Sequence, residues 1–125
     1  MSSEQFCGKT SQAVGRVAKR NLVVLIYELT RTFPKEETYG LISQMGRAAV
    51  SGPSNIAEGA ADRSPDQFKN YLRTAIGSLN ELNTQLEIAF RIGYLNEADH
   101  NSAQFLLDEC LAVTFGLRRS LDKKS

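Results

Sequence analysis

Four stretches of the chain repeat apolar residues at helical spacing, and polar residues fill the positions between them. In the first, Ala18, Leu22, Leu25 and Leu29 step by four, three and four, with Val17, Val24 and Ile26 widening the face. This predicts a helix from about Ser11 to Arg31, ended by Phe33-Pro34 because the residue before proline avoids helical backbone. The second stretch is predicted to begin near Pro34, with Glu36 and Glu37 in its first turn. Its apolar face is Ile42, Met45, Ala49, Gly52 and Ile56, and small residues dominate its second half: Ala48, Ala49, Ser51 and Gly52. Pro53 falls inside this pattern. Proline costs about 3 kcal/mol within a free helix and strips one backbone hydrogen bond. A bend at Pro53 is expected, supported by packed neighbours, with the carbonyl of Ala49 losing its usual partner.

The third stretch opens on Ser64-Pro65-Asp66-Gln67, a serine cap, proline at the first helical position and glutamine at the third. Phe68, Leu72, Ala75, Leu79, Leu82, Leu86 and Ala89 follow at alternating four and three, a heptad seam. Tyr71, Ile76 and Phe90 lie on its flank and predict a second contact surface, hence self-association. Gly93 is the expected stop. The fourth stretch starts after Asn96, with Glu97 and Asp99 in its first turn, and repeats Ala103, Leu107, Cys110, Thr114, Leu117 and Leu121. Short connections make sequential helices antiparallel. The expectation is an all-α, antiparallel up-down-up-down four-helix bundle forming one domain over residues 1–125, with residues 1–12 and 122–125 as mobile ends.

Composition narrows the function classes. The 125 residues suit one domain with one core, and the net charge of +1 carries no argument about partners. Its distribution says more. Lys9, Arg16, Lys19 and Arg20 occur between Gln5 and Tyr27 with no carboxylate among them, and Arg118, Arg119, Lys123 and Lys124 end the chain against Asp122. Cys7 and Cys110 make neither a disulfide framework nor a zinc spacing, and Cys110 reads as a buried small hydrophobe. No apolar run approaches the about 20 residues of a membrane helix, and the N-terminal residues lack a signal-peptide pattern. A cytoplasmic protein without membrane contact is expected.

No catalytic centre is predicted, and no metal or cofactor site. Glu97 and His100 form one Glu-x-x-His pair, but a di-metal bundle needs two and the chain has a single histidine. That histidine lies ten positions from Cys110 on a predicted seam, a poor nucleophile–base arrangement. Arg91 is too far from His100 for a helical nuclease motif of the Arg-x4-6-His type. The phosphate-loop patterns GxxxxGK[ST] and GxGxxG are absent. Asn55 and Glu58, three apart, share a face beside Pro53. They read either as a polar site, or as partners for backbone groups and a nearby arginine. Arg16, Lys19 and Arg20 share one side of the first helix, and Arg47, Arg63, Lys69 and Arg73 could extend it into a nucleic-acid-binding surface. Each cation taken alone reads more readily as a solvated charge paired to a carboxylate. Few aromatic residues lie outside the seams, which leaves base stacking little support.

Several segments resemble a known family. Phe33-Pro34-Lys35-Glu36-Glu37-Thr38-Tyr39-Gly40-Leu41, Ala48-Ala49-Val50-Ser51, Pro53-Ser54-Asn55-Ile56-Ala57-Glu58-Gly59, Ala75-Ile76-Gly77-Ser78-Leu79-Asn80-Glu81-Leu82 and Gly93-Tyr94-Leu95 look like the signature of four-helix-bundle proteins encoded in bacterial 23S rRNA intervening sequences. The likeness runs from about Val14 to Leu121, with Pro53, Asn55, Glu58 and Gly59 as its most specific cluster. Members are similar to the accessory variability determinant of diversity-generating retroelements. The resemblance implies a homo-oligomer, a pentamer by that analogy, contacting RNA, DNA or a reverse-transcriptase-like protein. Two positions depart from the family pattern. Gly46 stands where a basic residue is frequent, which is expected to weaken the basic surface, and Gly52 stands where isoleucine or valine is frequent, which is expected to loosen packing near Pro53.

Overall fold

Helix ends follow local chemistry in the computed structural model, which describes residues 22–61 and 63–124. Helix α1 spans Leu22–Thr30, a short 3-10 turn spans Lys35–Glu37, and α2 spans Leu41–Ala60; α3 spans Pro65–Arg91 and α4 spans Glu97–Lys124. The described residues form an all-α four-helix bundle. Ser64 caps α3 as its sequence predicts: its hydroxyl accepts from the Gln67 N–H at 3.2 Å, and the Gln67 side chain accepts from the Ser64 N–H at 3.0 Å. At the other end Gly93 adopts φ +89°, a left-handed conformation that glycine reaches without strain, and the Tyr94 N–H closes onto the Ala89 carbonyl at 2.9 Å. Asn96 caps α4 by accepting from the Asp99 N–H at 2.7 Å.

The start of the second helix differs from expectation. Pro34 leads into the 3-10 turn, and α2 begins only at Leu41, after Gly40 at φ −111°, ψ −111°. Glu37 explains the offset. Its carboxylate accepts from the Leu41 N–H at 3.3 Å and from the Tyr94 hydroxyl at 2.9 Å, so it caps α2 from outside and ties this turn to the α3–α4 connection. Tyr94 in turn packs against Phe33, ring centroids 5.2 Å apart.

Helix α2 continues through Pro53. Beside the proline, the Asn55 amide donates to the Ser51 carbonyl at 2.8 Å and to the Ser51 hydroxyl at 3.0 Å, while the Ser78 hydroxyl of α3 donates to Ser51 Oγ at 2.8 Å. These bonds pin the helix where its ladder is interrupted.

Pairings across the helices establish direction. Ser51 meets Ser78, Gly52 meets Leu79, and Gly59 meets Phe68 and Tyr71. Asn83 meets Gln104, Glu87 faces His100, and Lys69 meets Asp122. One partner advances as the other retreats, so α2, α3 and α4 are successively antiparallel. Every predicted seam residue of α3 and α4 is buried, together with Met45, Ala49 and Ile56 of α2. Each buried leucine or isoleucine contributes roughly 1.5–3 kcal/mol.

Three expectations need adjustment. On α1 the buried residues are Leu22, Ile26 and Thr30; Leu25 and Leu29 are half-buried and Val24 is exposed. The described turns of α1 pack against α2 and α4 along one edge, which narrows the covered stripe. Gly52 does not loosen the core. Leu79 fills the space, and a Cβ built on Gly52 would stand 2.7 Å from Leu79 Cδ2. Tyr71 and Phe90 are engaged within the chain: Tyr71 lies against Gly59 and beneath Arg63, and Phe90 stacks on His100 at 4.5 Å. The helix preceding Leu22, back to Ser11, and the end segment 1–12 lie outside the described residues. Asp122, assigned to the mobile end by the sequence pattern, is helical and ion-paired.

Candidate nucleic-acid interface

Burial of the Phe68, Leu72, Ala75 and Leu79 seam sets the rotation of α3, and that rotation places Lys69 and Arg73, four residues apart, along the groove shared with α4. The antiparallel return of α4 brings Arg118 and Asp122, also four apart, to the same place. Between the two helices lies a shallow groove of about 380 Å³ lined by Asp66, Lys69, Asn70, Arg73, Arg118 and Asp122.

Its cations are held to different degrees. The Lys69 ammonium lies 3.2 Å from Asp122 Oδ1. The Arg73 guanidinium donates to the neutral Asn70 Oδ1 at 2.8 Å. Arg118 is exposed and makes no ion pair with a described carboxylate. Three cations against two carboxylates leave the groove net positive. Arginine forks match phosphate geometry in pairs of parallel hydrogen bonds, so Arg73 and Arg118 are suited to clasp a phosphodiester.

Of the other sequence-predicted cations, the two within the described residues, Arg47 and Arg63, do not line this groove. Arg16, Lys19 and Arg20 lie outside the described residues. Arg47 is exposed on α2. Arg63 is turned toward α2, where it bonds Glu58 at 2.8 Å and sits 5.3 Å over the Tyr71 ring. Both Asn55 and Glu58 thus have intramolecular partners, and Gly59 is buried where a Cβ would stand 2.6 Å from Tyr71 Cβ. Pro53 lies within α2 beside them. Gly46 is covered by the Tyr27 ring; a Cβ there would lie 3.2 Å from the Tyr27 hydroxyl.

Sequence reasoning missed Arg118 and Asp122 as groove residues, noting them only in the charge balance at the end of the chain. A signal was present: Lys69 and Arg118 are nearly equidistant along the chain from the Gly93 turn, which an antiparallel pair converts into adjacency.

A second groove, of about 570 Å³, lies at the opposite end between α3 and α4, lined by Asn83, Thr84, Glu87, Ile88, Arg91 and Gln104. Arg91 is bound to Glu87 at 2.8 Å, and Gln104 bridges Asn83 and Asp108 at 2.8 and 2.9 Å. Its one arginine is matched, so it offers no positive field. His100 behind it places Nε2 3.6 Å from Glu87 Oε2, beyond hydrogen-bond reach. Among the described residues no three His, Cys, Asp or Glu side chains gather as metal ligands would. Cys110 is buried on the α4 seam, where desolvation first and Glu109 second push its thiol up to about 11. No described helix is long and apolar enough to cross a membrane.

A comparison with curated proteins returned no match. The profile of the 23S rRNA-intervening sequence protein family matches residues 17–116, and the chain belongs to that family. Lys69 and Arg73 fall within the matched stretch, whereas Arg118 and Asp122 lie just beyond it.

Proposed function

We propose that this member of the 23S rRNA-intervening sequence protein family is a non-enzymatic, cytoplasmic, oligomeric binding protein that contacts nucleic acid, alone or beside a nucleic-acid enzyme. The observation that carries the reading is the convergence of Lys69, Arg73 and Arg118 in one groove with only two carboxylates. A single groove makes a weak field. Repetition of it around a symmetric oligomer multiplies the field that steers a polyanion, and each phosphate contact adds counterion release to the affinity. The pentamer suggested by the family resemblance is part of this proposal.

The test combines light scattering for mass with fluorescence anisotropy of labelled RNA and DNA oligonucleotides at two salt concentrations. The expected result is a mass of several chains and binding that weakens steeply with salt. Arg73→Ala and Arg118→Ala should each weaken binding and flatten the salt dependence by about 0.7 in log–log slope on single strands. A monomer that ignores both polymers overturns the reading.

A second reading, a scaffolding oligomer with a protein partner, is favoured by one observation. Phe105 and Phe115 are 61% and 39% exposed, and α4 presents them on one face with Ala112 between them. Apolar association of that kind would change little with salt.

A further inference from the structure

We propose that Asp122 is a built-in competitor for phosphate, so that the groove is partly closed by the chain's own carboxylate. This rests on the nucleic-acid reading of the groove. Asp122 places Oδ1 3.2 Å from Lys69 Nζ, so its carboxylate occupies the ammonium that a phosphate oxygen would contact. Both side chains line the groove, so the carboxylate stands on the path of a phosphodiester run past Arg73 and Arg118. The pair is built to open. The Asp122 side chain is 59% exposed, it lies in the last turn of α4, and an ion pair so exposed adds little stability. Lys69 is more enclosed, at 27%, and stays fixed on α3 as the carboxylate leaves.

Binding therefore proceeds by exchange. Asp122 swings to solvent, a phosphate oxygen takes its place on Lys69, and Arg73 and Arg118 hold the neighbouring phosphates. The consequence is selectivity for chain length. A single phosphate gains too little to displace Asp122, whereas a run of phosphates collects all three cations at once. The competing residue lies beyond the part of the chain that matches the family profile, in the last turn of the same helix.

The experiment is anisotropy with a fluorescein-labelled single-stranded RNA at 50 and 150 mM salt, on the full chain. Asp122→Asn keeps the side-chain shape and removes the charge. It should tighten binding by up to about fivefold, the range an exposed ion pair can supply, and steepen the salt slope by about 0.7 as Lys69 becomes a full contact. In the Asp122→Asn background, Lys69→Ala should abolish that gain, whereas in the wild type Lys69→Ala should cost less than Arg73→Ala. Glu36→Gln, the same change in net charge on the distant 3-10 turn, should leave affinity within about 1.5-fold, because the separation far exceeds the screening length.

Equal effects of Asp122→Asn and Glu36→Gln, or no effect of either, overturn the competition while the groove survives if Arg73→Ala still weakens binding. Absence of RNA binding by both the wild type and Asp122→Asn overturns the groove reading as well. Circular dichroism melts of each variant exclude loss of fold as the cause of weaker binding.

Discussion

Close approach between helices is settled by single atoms. A Cβ on Gly59 would lie 2.6 Å from Tyr71 Cβ and 2.7 Å from Phe68 Cδ1, with Tyr71 Cβ fixed to the α3 backbone. Gly59→Ala is expected to destabilise by about 1–3 kcal/mol through overpacking, read as a lower urea midpoint. Gly77, midway along α3, has nothing within 4 Å of such a Cβ. Gly77→Ala should stabilise by about 0.5–1 kcal/mol, because glycine in a helix interior wastes conformational entropy. The opposite signs come from packing alone. Cys110 supplies a pH prediction. Its thiol rises from 9.0 to about 11 in the folded chain, chiefly by desolvation. The folded state therefore holds the proton more tightly than the unfolded state. The stability this contributes is complete below pH 9 and falls, by on the order of 2–3 kcal/mol, as pH climbs through 11. Cys110→Ala should shrink that alkaline decline in urea titrations. In the wild type, iodoacetamide at pH 8 should modify Cys110 only after denaturation.

At the scale of elements, the ends are as informative as the faces. Ser64, Asn96 and Gly93 carry recognisable terminal chemistry, and the structure uses each as that chemistry dictates. Ser64→Ala removes one half of the reciprocal cap of α3 and should cost about 1 kcal/mol, seen as a lower thermal midpoint. Lys69 and Arg73 lie in the helical turns that follow that cap, so fraying there should also weaken RNA binding. The second helix was harder to read. Proline before two glutamates is a sound helix start, yet Glu37 is drawn out of that role by the Tyr94 hydroxyl, a residue more than fifty positions away. No local pattern encodes that contact. Likewise, small residues near Pro53 were legible, and Gly52 was expected to loosen packing there, but only the neighbour's position made Leu79 the group that fills the space.

At the scale of the whole molecule, charge is segregated along the bundle. Among the described side chains, Arg63, Lys69, Arg73, Arg118 and Arg119 gather at the end where α3 begins, against Glu58, Asp66 and Asp122. Near the other end, Glu28, Glu36, Glu37, Glu87, Glu97 and Asp99 outnumber Arg31, Lys35, Arg47 and Arg91. A nearly neutral chain thus has a basic pole and an acidic pole, which net charge conceals. A polyanion should approach by the first and be repelled by the second. Arg118→Glu is expected to weaken RNA binding more than tenfold, and Lys35→Glu to change it less than twofold, by anisotropy at 50 mM salt.

The repeating apolar positions by themselves determined the four-helix class and the seams of α3 and α4, and the polar residues Ser64 and Asn96 marked the starts of those two helices. These depend on contacts within a few residues and on a helical period that burial must respect. The family signature was legible too, since its motifs are contiguous. Tertiary structure alone decided which cations share a groove: it joined Lys69 and Arg73 to Arg118, turned Arg63 toward Glu58, and set Asp122 upon Lys69. The reason is physical. A helical period fixes which side of a helix a residue occupies, but only the antiparallel register of the packed pair fixes which distant residue stands opposite.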